Sequence, residues 1–214
     1  MKEISLLQVI PEVFSQREKK DSGIWYKKIS FTKGEVCLLE AVSGAGKSSL
    51  CSYLYGYRSD YQGTIYFDGE DIRNFSKAQW AEWRKVSLGI LFQELRLFPE
   101  LTAWENILIK NNLTAYKTPE WIENCFHLLD IEDKKNIPVA KLSFGQQQRI
   151  AFIRALCQPF DFILLDEPVS HLDVNNNRII GELLTKEIEQ QGAGVIVTSI
   201  GNPLNIQYDK ILQL

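Results

Sequence analysis

The stretch Ala41-Val-Ser-Gly-Ala-Gly-Lys47-Ser48 constrains this chain more than any other. It follows an apolar run, Val36 to Val42, and opens into Ser49 to Tyr55, which reads as a helix closed by Gly56. A strand, a glycine-bearing loop ending in Gly-Lys-Ser, and then a helix is the context of a phosphate-binding loop. The loop's backbone N–H groups and those of the first helical turn point into one concavity, where the helix dipole adds partial positive charge. Gly44 and Gly46 let backbone approach phosphate oxygens, Lys47 supplies a point charge, and Ser48 offers a hydroxyl to Mg²⁺. Ala41 stands where the pattern G-x-x-x-x-G-K-[ST] has its first glycine. If that position requires a positive φ, alanine costs about 1–2 kcal/mol; in the β region the cost is small.

Composition narrows the setting. The chain has 214 residues, 45% of them hydrophobic, which suits one compact α/β unit with room for an inserted lobe. Net charge is −3, from 24 basic and 27 acidic residues, so electrostatics suggest no nucleic-acid partner. No run of about 18 apolar residues occurs, and the first residues lack the apolar core of a signal peptide. Cys37, Cys51, Cys125 and Cys157 form no C-x-x-C pair and read as reduced core thiols. These features together predict a soluble intracellular protein.

Along the chain, Ile4–Ile10 reads as a first strand, and a short pair of strands is expected through Ile29–Phe31. Gly63–Phe67 alternates like a strand ahead of the Asp68-Gly69 turn. Ser76 suits the cap of a helix running towards Arg84, and Ser87–Phe92 reads as a buried strand ending at Gln93. From Leu95 to Pro138 strand signals cease: Thr102-x-x-Glu105 is a capping box, and Thr118-Pro119 opens a helix to about Leu129. A further helix begins near Ser143. Phe160–Leu165 is a continuous apolar run, as a central parallel strand requires. A helix from about Asn175 to Gln190 places Ile179, Ile180, Leu183, Leu184 and Ile188 on one buried face. Val195–Thr198 and Lys210–Leu214 are the last strands. Strands alternating with helices imply a mostly parallel sheet covered on both faces.

Leu164-Leu-Asp166-Glu167-Pro168 places two carboxylates at the carboxyl end of a buried strand, where open parallel sheets bind ligands. Asp166 can hold Mg²⁺ through water and Glu167 can polarise a water attacking a γ-phosphate; alone, the pair is equally well a solvated turn. Ser143 is a natural N-cap in Leu142-Ser-Phe-Gly-Gln-Gln-Gln-Arg149, and it creates a second anion site at a helix N-terminus.

That last stretch resembles the signature Leu-Ser-Gly-Gly-Gln of ATP-binding cassette (ABC) ATPases, with Phe144 in place of the first glycine and Ser143 and Gly145 kept. The resemblance covers nearly the whole chain. It implies a P-loop NTPase fold: a RecA-like mostly parallel core over about 1–93 and 157–214, a small antiparallel β part, and a helical lobe over about 94–156. The phosphate loop (Ala41, Val42, Ser43, Gly44, Ala45, Gly46, Lys47, Ser48 and Ser49) would hold ATP, with Phe14 as the aromatic that stacks on adenine or, alternatively, a plain loop aromatic. Ser143, Gly145 and Gln146 would meet the nucleotide of a second copy, and Ser48, Gln93 and Asp166 would hold Mg²⁺. Gln93 matches the Q-loop glutamine and Ser170–Asp173 the D-loop. The implied catalytic set is Glu167, Lys47, Gln93 and Ser199.

Ser199 stands where the family usually has the H-loop histidine. Loss of one transition-state donor costs about 10²–10³ in rate, so the substitution predicts slow hydrolysis. Leu91–Thr102 looks most like the small cassettes of the cell-division, lipoprotein-release or macrolide-export type. The resemblance then implies a nucleotide-dependent homodimer (a heterodimer is the alternative) and a transmembrane permease docking near Gln93–Thr102. It places the chain in the cytoplasm, on the inner face of the membrane. A weakly hydrolysing, ATP-gated scaffold is the competing function. Trp80 and Trp83, three apart on one helix, serve either packing or a contact surface.

Overall fold

The computed structural model describes residues 1–16 and 22–214. Two sheets share one framework. Strands β1 (Glu3–Pro11) and β2 (Lys28–Thr32) belong to an antiparallel sheet, and β3 (Val36–Glu40) leads through the glycine-bearing loop into α1 (Lys47–Leu54). β4 (Tyr61–Phe67), β5 (Glu70–Asp71), α2 (Lys77–Val86) and β6 (Leu88–Leu91) follow. Three helices come next, α3 (Ala103–Asn111), α4 (Pro119–Leu128) and α5 (Phe144–Leu156), before β7 (Phe162–Asp166), α6 (Val174–Gln191), β8 (Gly194–Ser199) and β9 (Lys210–Gln213).

The central sheet runs β6-β7-β8-β3-β9 and every pairing in it is parallel. Its strands are buried on both faces because alternate side chains feed two different cores. Phe162 and Leu164 of β7 point into the core under α1 and the antiparallel sheet, together with Cys37, Leu39 and Ile196. Ile163 and Leu165 point into the core beneath the later helices, with Leu38, Val195 and Val197. The antiparallel sheet has the order β2-β1-β4-β5. A bulge between Leu7 and Ile10 shifts its β1–β4 register at the point where Gly63, at φ 83°, lies against the backbone of Gln8.

Caps set the helix starts. Ser76, Thr102 and Ser143 each accept from the N3 backbone while the N3 side chain (Gln79, Glu105, Gln146) bonds back to the cap. Trp80 and Trp83 pack on Phe67 and Phe75, with ring centroids 5.4–6.1 Å apart, so this pair serves packing. All four cysteines are free and buried, and burial pushes the Cys37 and Cys125 thiols up to about 12.

Two expectations need correction. The pair of strands expected before Lys33 is a single strand, β2, among the described residues, because Ser22–Lys27 turns instead of extending. On α6, Ile179 and Ile188 are only half-buried, whereas Glu187 is buried because the Lys117 ammonium pairs with it. No described helix is long and apolar enough to cross a membrane.

Candidate nucleotide site

The strand order β7-β8-β3 brings three carboxyl ends side by side, with Asp166 opposite Thr198 and Glu40 opposite Ser199. The residues that follow these strands therefore converge at one sheet edge. Gln93 joins them from the segment after β6.

The loop after β3 turns on Gly44 and Gly46, at φ 79° and 102°, a region that side-chain-bearing residues enter only at a cost. A Cβ at Gly44 would meet nothing within 4 Å, so this corner is open. A Cβ at Gly46 would lie 2.9 Å from Trp25 and 3.1 Å from Phe14. Trp25 Nε1 also donates to the Ala45 carbonyl at 3.1 Å, which ties the loop to the segment before β2. Phe14 ends a short 3₁₀ turn, Glu12–Phe14, and is half-buried against the same glycine. Ala41 does not have a positive φ, so the alanine at this position carries no left-handed strain.

Lys47 is buried and its ammonium turns back onto the loop, donating to the Ala41 and Val42 carbonyls at 3.2 and 3.1 Å. It also lies 3.7 Å from Glu167 Oε1. The Ser48 hydroxyl donates to Gln93 Oε1 at 3.2 Å, and Gln93 Nε2 donates to Glu167 Oε2 at 3.4 Å. Ser48, Gln93, Glu167 and Lys47 thus form one polar chain across the sheet edge. Ser43 and Val42 face outwards, and Ser49 accepts from Arg58 at 3.2 Å.

Asp166 is 4% exposed and accepts from Thr198 Oγ1 at 2.6 Å. Burial pushes its carboxyl up, and the Ser48 and Thr198 hydroxyls offset part of that. Glu167 takes φ 52°, a strained conformation for a non-glycine residue, fixed by Thr198, whose hydroxyl and carbonyl both accept from the Glu167 N–H. Ser199 ends β8 at 3% exposure; its carbonyl accepts from the Ala41 N–H, and its hydroxyl has no hydrogen-bond partner among the described residues. A buried hydroxyl without a partner costs about 1–3 kcal/mol, which suits a group held for a ligand oxygen. Oxygen donors from Ser48, Gln93 and Asp166 are the donor set a hard cation such as Mg²⁺ takes.

Ser143, Gly145 and Gln146 form a separate place. The Ser143 hydroxyl and the Gln146 side chain satisfy one another's backbone at the start of α5. Among the described residues no hydrogen bond joins them to the loop after β3. Phe144 is exposed and its ring lies 4.4 Å from that of His171, and Gly145 packs against the His171 carbonyl. Two contributors escape sequence reasoning. Trp25 carries no motif at all. Gln148 is visible only as one of three consecutive glutamines, yet its side-chain amide donates to the Glu167 carbonyl at 3.2 Å.

A family model described as "ABC transporter" matches residues 27–170. The lipoprotein-releasing system ATP-binding protein LolD of Buchnera aphidicola is 34% identical over 184 residues, covering 84% of this chain and 80% of that protein. The ABC transporter ATP-binding protein YtrE of Bacillus subtilis is 32% identical over 186 residues, covering 85% and 80%. Among solved structures, the dimeric ABC transporter cassette MJ0796 superposes with a TM-score of 0.78 at 26% identity, over 98% of this chain and 96% of that one. The same cassette in a post-hydrolysis state, bound to ADP and Pi, gives 0.77 at 25% identity over 93% and 88%. The parallel and antiparallel sheets with their helices are the P-loop NTPase fold of those cassettes. The chain therefore belongs to the ABC transporter family as an ATP-binding domain.

Proposed function

We propose that this chain hydrolyses ATP to power a separate membrane-spanning partner, and that two copies close head to tail around the nucleotides. The observation that carries the reading is the polar chain Ser48–Gln93–Glu167–Lys47 at the mouth of a glycine loop. In this reading Gly44, Gly46 and the N-terminus of α1 cradle the phosphates, Lys47 leaves the Ala41 and Val42 carbonyls for a phosphate oxygen, and Phe14 flanks the base. Ser48, Gln93 and Asp166 hold Mg²⁺, which when bound neutralises charge on the phosphates. Glu167 orients the attacking water, and Ser143, Gly145 and Gln146 approach from the second copy. That cassettes of similar structure were solved as dimers supports this arrangement.

The helical lobe spans about 94–156, a reading supported by α3, α4 and α5 and by the lack of a strand from Gln93 to α5 among the described residues. The Gln93–Thr102 segment is the docking place for the membrane subunit, and the chain works at the inner face of the membrane. Ser199 hydrogen-bonds the terminal phosphate less effectively than a histidine, so turnover is slow; a weakly hydrolysing scaffold is the alternative that this serine keeps open.

Mg²⁺-dependent phosphate release by the purified protein tests these assignments. Glu167→Gln abolishes turnover while ATP binding persists, and ATP then converts the variant from monomer to dimer in light scattering. Unchanged turnover in that variant removes Glu167 from the reaction. Ser199→His raises turnover about tenfold or more, and no gain means another group covers that role.

A further inference from the structure

A non-glycine residue at φ 52°, as Glu167 is, keeps that conformation only where its surroundings impose it. Two elements do so. From β8, the Thr198 hydroxyl and carbonyl both accept from the Glu167 N–H, at 3.2 and 3.3 Å. From α5, the Gln148 side-chain amide donates to the Glu167 carbonyl at 3.2 Å; the Ser170 N–H reaches the same oxygen at the longer 3.4 Å. The bonds to the N–H fix the peptide plane before Glu167, and those to the carbonyl fix the plane after it. With both planes held, the two soft torsions between them are set. So is the direction in which the carboxylate leaves the backbone towards Gln93 and Lys47.

Gln148 does this at a cost to the fold. It is 2% exposed, and its Oε1 has no hydrogen-bond partner among the described residues. Turning the amide over would set that oxygen against the Glu167 carbonyl, so the bond to Glu167 decides which end goes unpaired. An apolar side chain of the same length would leave no orphaned acceptor. A glutamine kept here on those terms serves something besides stability.

The rest of the loop after β7 is fastened to the same helix. A Cβ at Gly145 would lie 3.2 Å from the His171 carbonyl oxygen, and the Phe144 and His171 ring centres are 4.4 Å apart. The Arg149 guanidinium donates to Asn176 Oδ1 at 3.2 Å, and Asn176 is bonded in turn to Asp173. The stretch from Glu167 to Asn176 therefore lies against the first half of α5, whose N-cap is Ser143. Ser143 and Gln148 are five residues apart, about 7.5 Å along a helix.

We propose that Gln148 is a positioning residue, fastening the Glu167 backbone to α5 so that contact made at Ser143 reaches the carboxylate that orients water. The inference rests on the two-copy ATPase reading for what meets Ser143, and it adds how one copy's signature reports to its own Glu167. A phosphate held by the second copy seats Ser143, α5 shifts as a rigid element, and Gln148 carries the shift into the Glu167 turn.

The test makes two measurements on the full chain and on its Gln148→Met variant, which keeps the length and loses the donor. One is Mg²⁺-dependent phosphate release; the other is exchange of the Glu167 amide hydrogen, followed by NMR. The variant is expected to lose about ten- to a hundredfold in kcat, with KM for ATP unchanged and a thermal midpoint no lower than the parent's. Exchange at Glu167 quickens in the variant. A non-hydrolysable ATP analogue slows that exchange in the parent as dimers form, and this slowing is lost in the variant. Gln148→Leu is the second variant should the first misfold. A midpoint that falls together with kcat while KM rises assigns Gln148 to the fold alone and overturns the proposal, as does equal exchange in parent and variant. Undiminished phosphate release by the variant ends the positioning role and leaves the ATPase reading standing. A parent that releases no phosphate, while Glu167 exchange still depends on Gln148, ends the ATPase reading and leaves the link to α5 standing.

Discussion

Asp166 and Glu167 are adjacent in sequence and differ in setting. Asp166 is enclosed, with burial holding its carboxyl above the ordinary range, whereas Glu167 stands at the sheet edge in a strained backbone conformation. A carboxylate kept in an enclosed site destabilises the fold until a cation joins it. Its raised folded value makes stability decline as pH climbs from the unfolded value of 3.8 through that raised value. Asp166→Asn keeps an oxygen to accept from Thr198 and removes the charge. The variant should resist heat better by about 1–3 kcal/mol while losing Mg²⁺-dependent turnover, as thermal denaturation and phosphate release would show. A less stable Asp166→Asn protein would mean that Lys47 compensates the charge. At this scale much of the site was legible, because strand-end acids and a Gly-Lys-Ser loop are local patterns. Trp25 was not, since its bond to the Ala45 carbonyl joins residues far apart in sequence and follows from tertiary packing alone.

Helix starts were legible for the same reason: a cap and its N3 partner are three residues apart, so Ser76, Thr102 and Ser143 announce themselves. Faces were less so. The apolar spacing of α6 marks Ile188 as core and cannot reveal that Glu187 turns inwards, because its partner Lys117 is supplied by a distant segment. The start of α6 carries its own test. Asp173 accepts from the Asn176 backbone N–H at 2.8 Å, and that bond, followed by one from the Asn176 side chain, holds its carboxyl below the ordinary 3.8. A depressed folded value gives stability that is present above about pH 3.8 and lost as pH falls through the folded value. Asn caps helices about as well as Asp, so Asp173→Asn should change stability near neutrality by no more than about 0.5 kcal/mol. Urea unfolding followed down to about pH 3 should show a shallower acid loss in the variant than in the parent protein.

Across the whole molecule, alternating strand side chains divide the interior into two cores, and the one beneath α3 to α6 runs unbroken from the sheet into the helical segment. One polar tie between these parts is the Lys117–Glu187 pair, both partners almost fully enclosed, with Lys117 also over the Tyr116 and Trp121 rings at 4.6 and 4.3 Å. The Asn111 side chain holds the Lys117 backbone in turn, donating to its carbonyl and accepting from its N–H, each at 2.9 Å. Removing one member strands a charge in a water-poor site and typically costs about 3–5 kcal/mol, while replacing both with apolar residues of similar size is often neutral. Glu187→Leu and Lys117→Met should therefore each lower the urea midpoint markedly, and the double variant should recover most of the loss. A double variant as unstable as the sum of the singles would show that the two residues act separately. If it recovers yet loses ATP-driven dimerisation, the ion pair serves to orient the helical segment against the sheet, since apolar packing at the same spot would supply the stability without the direction.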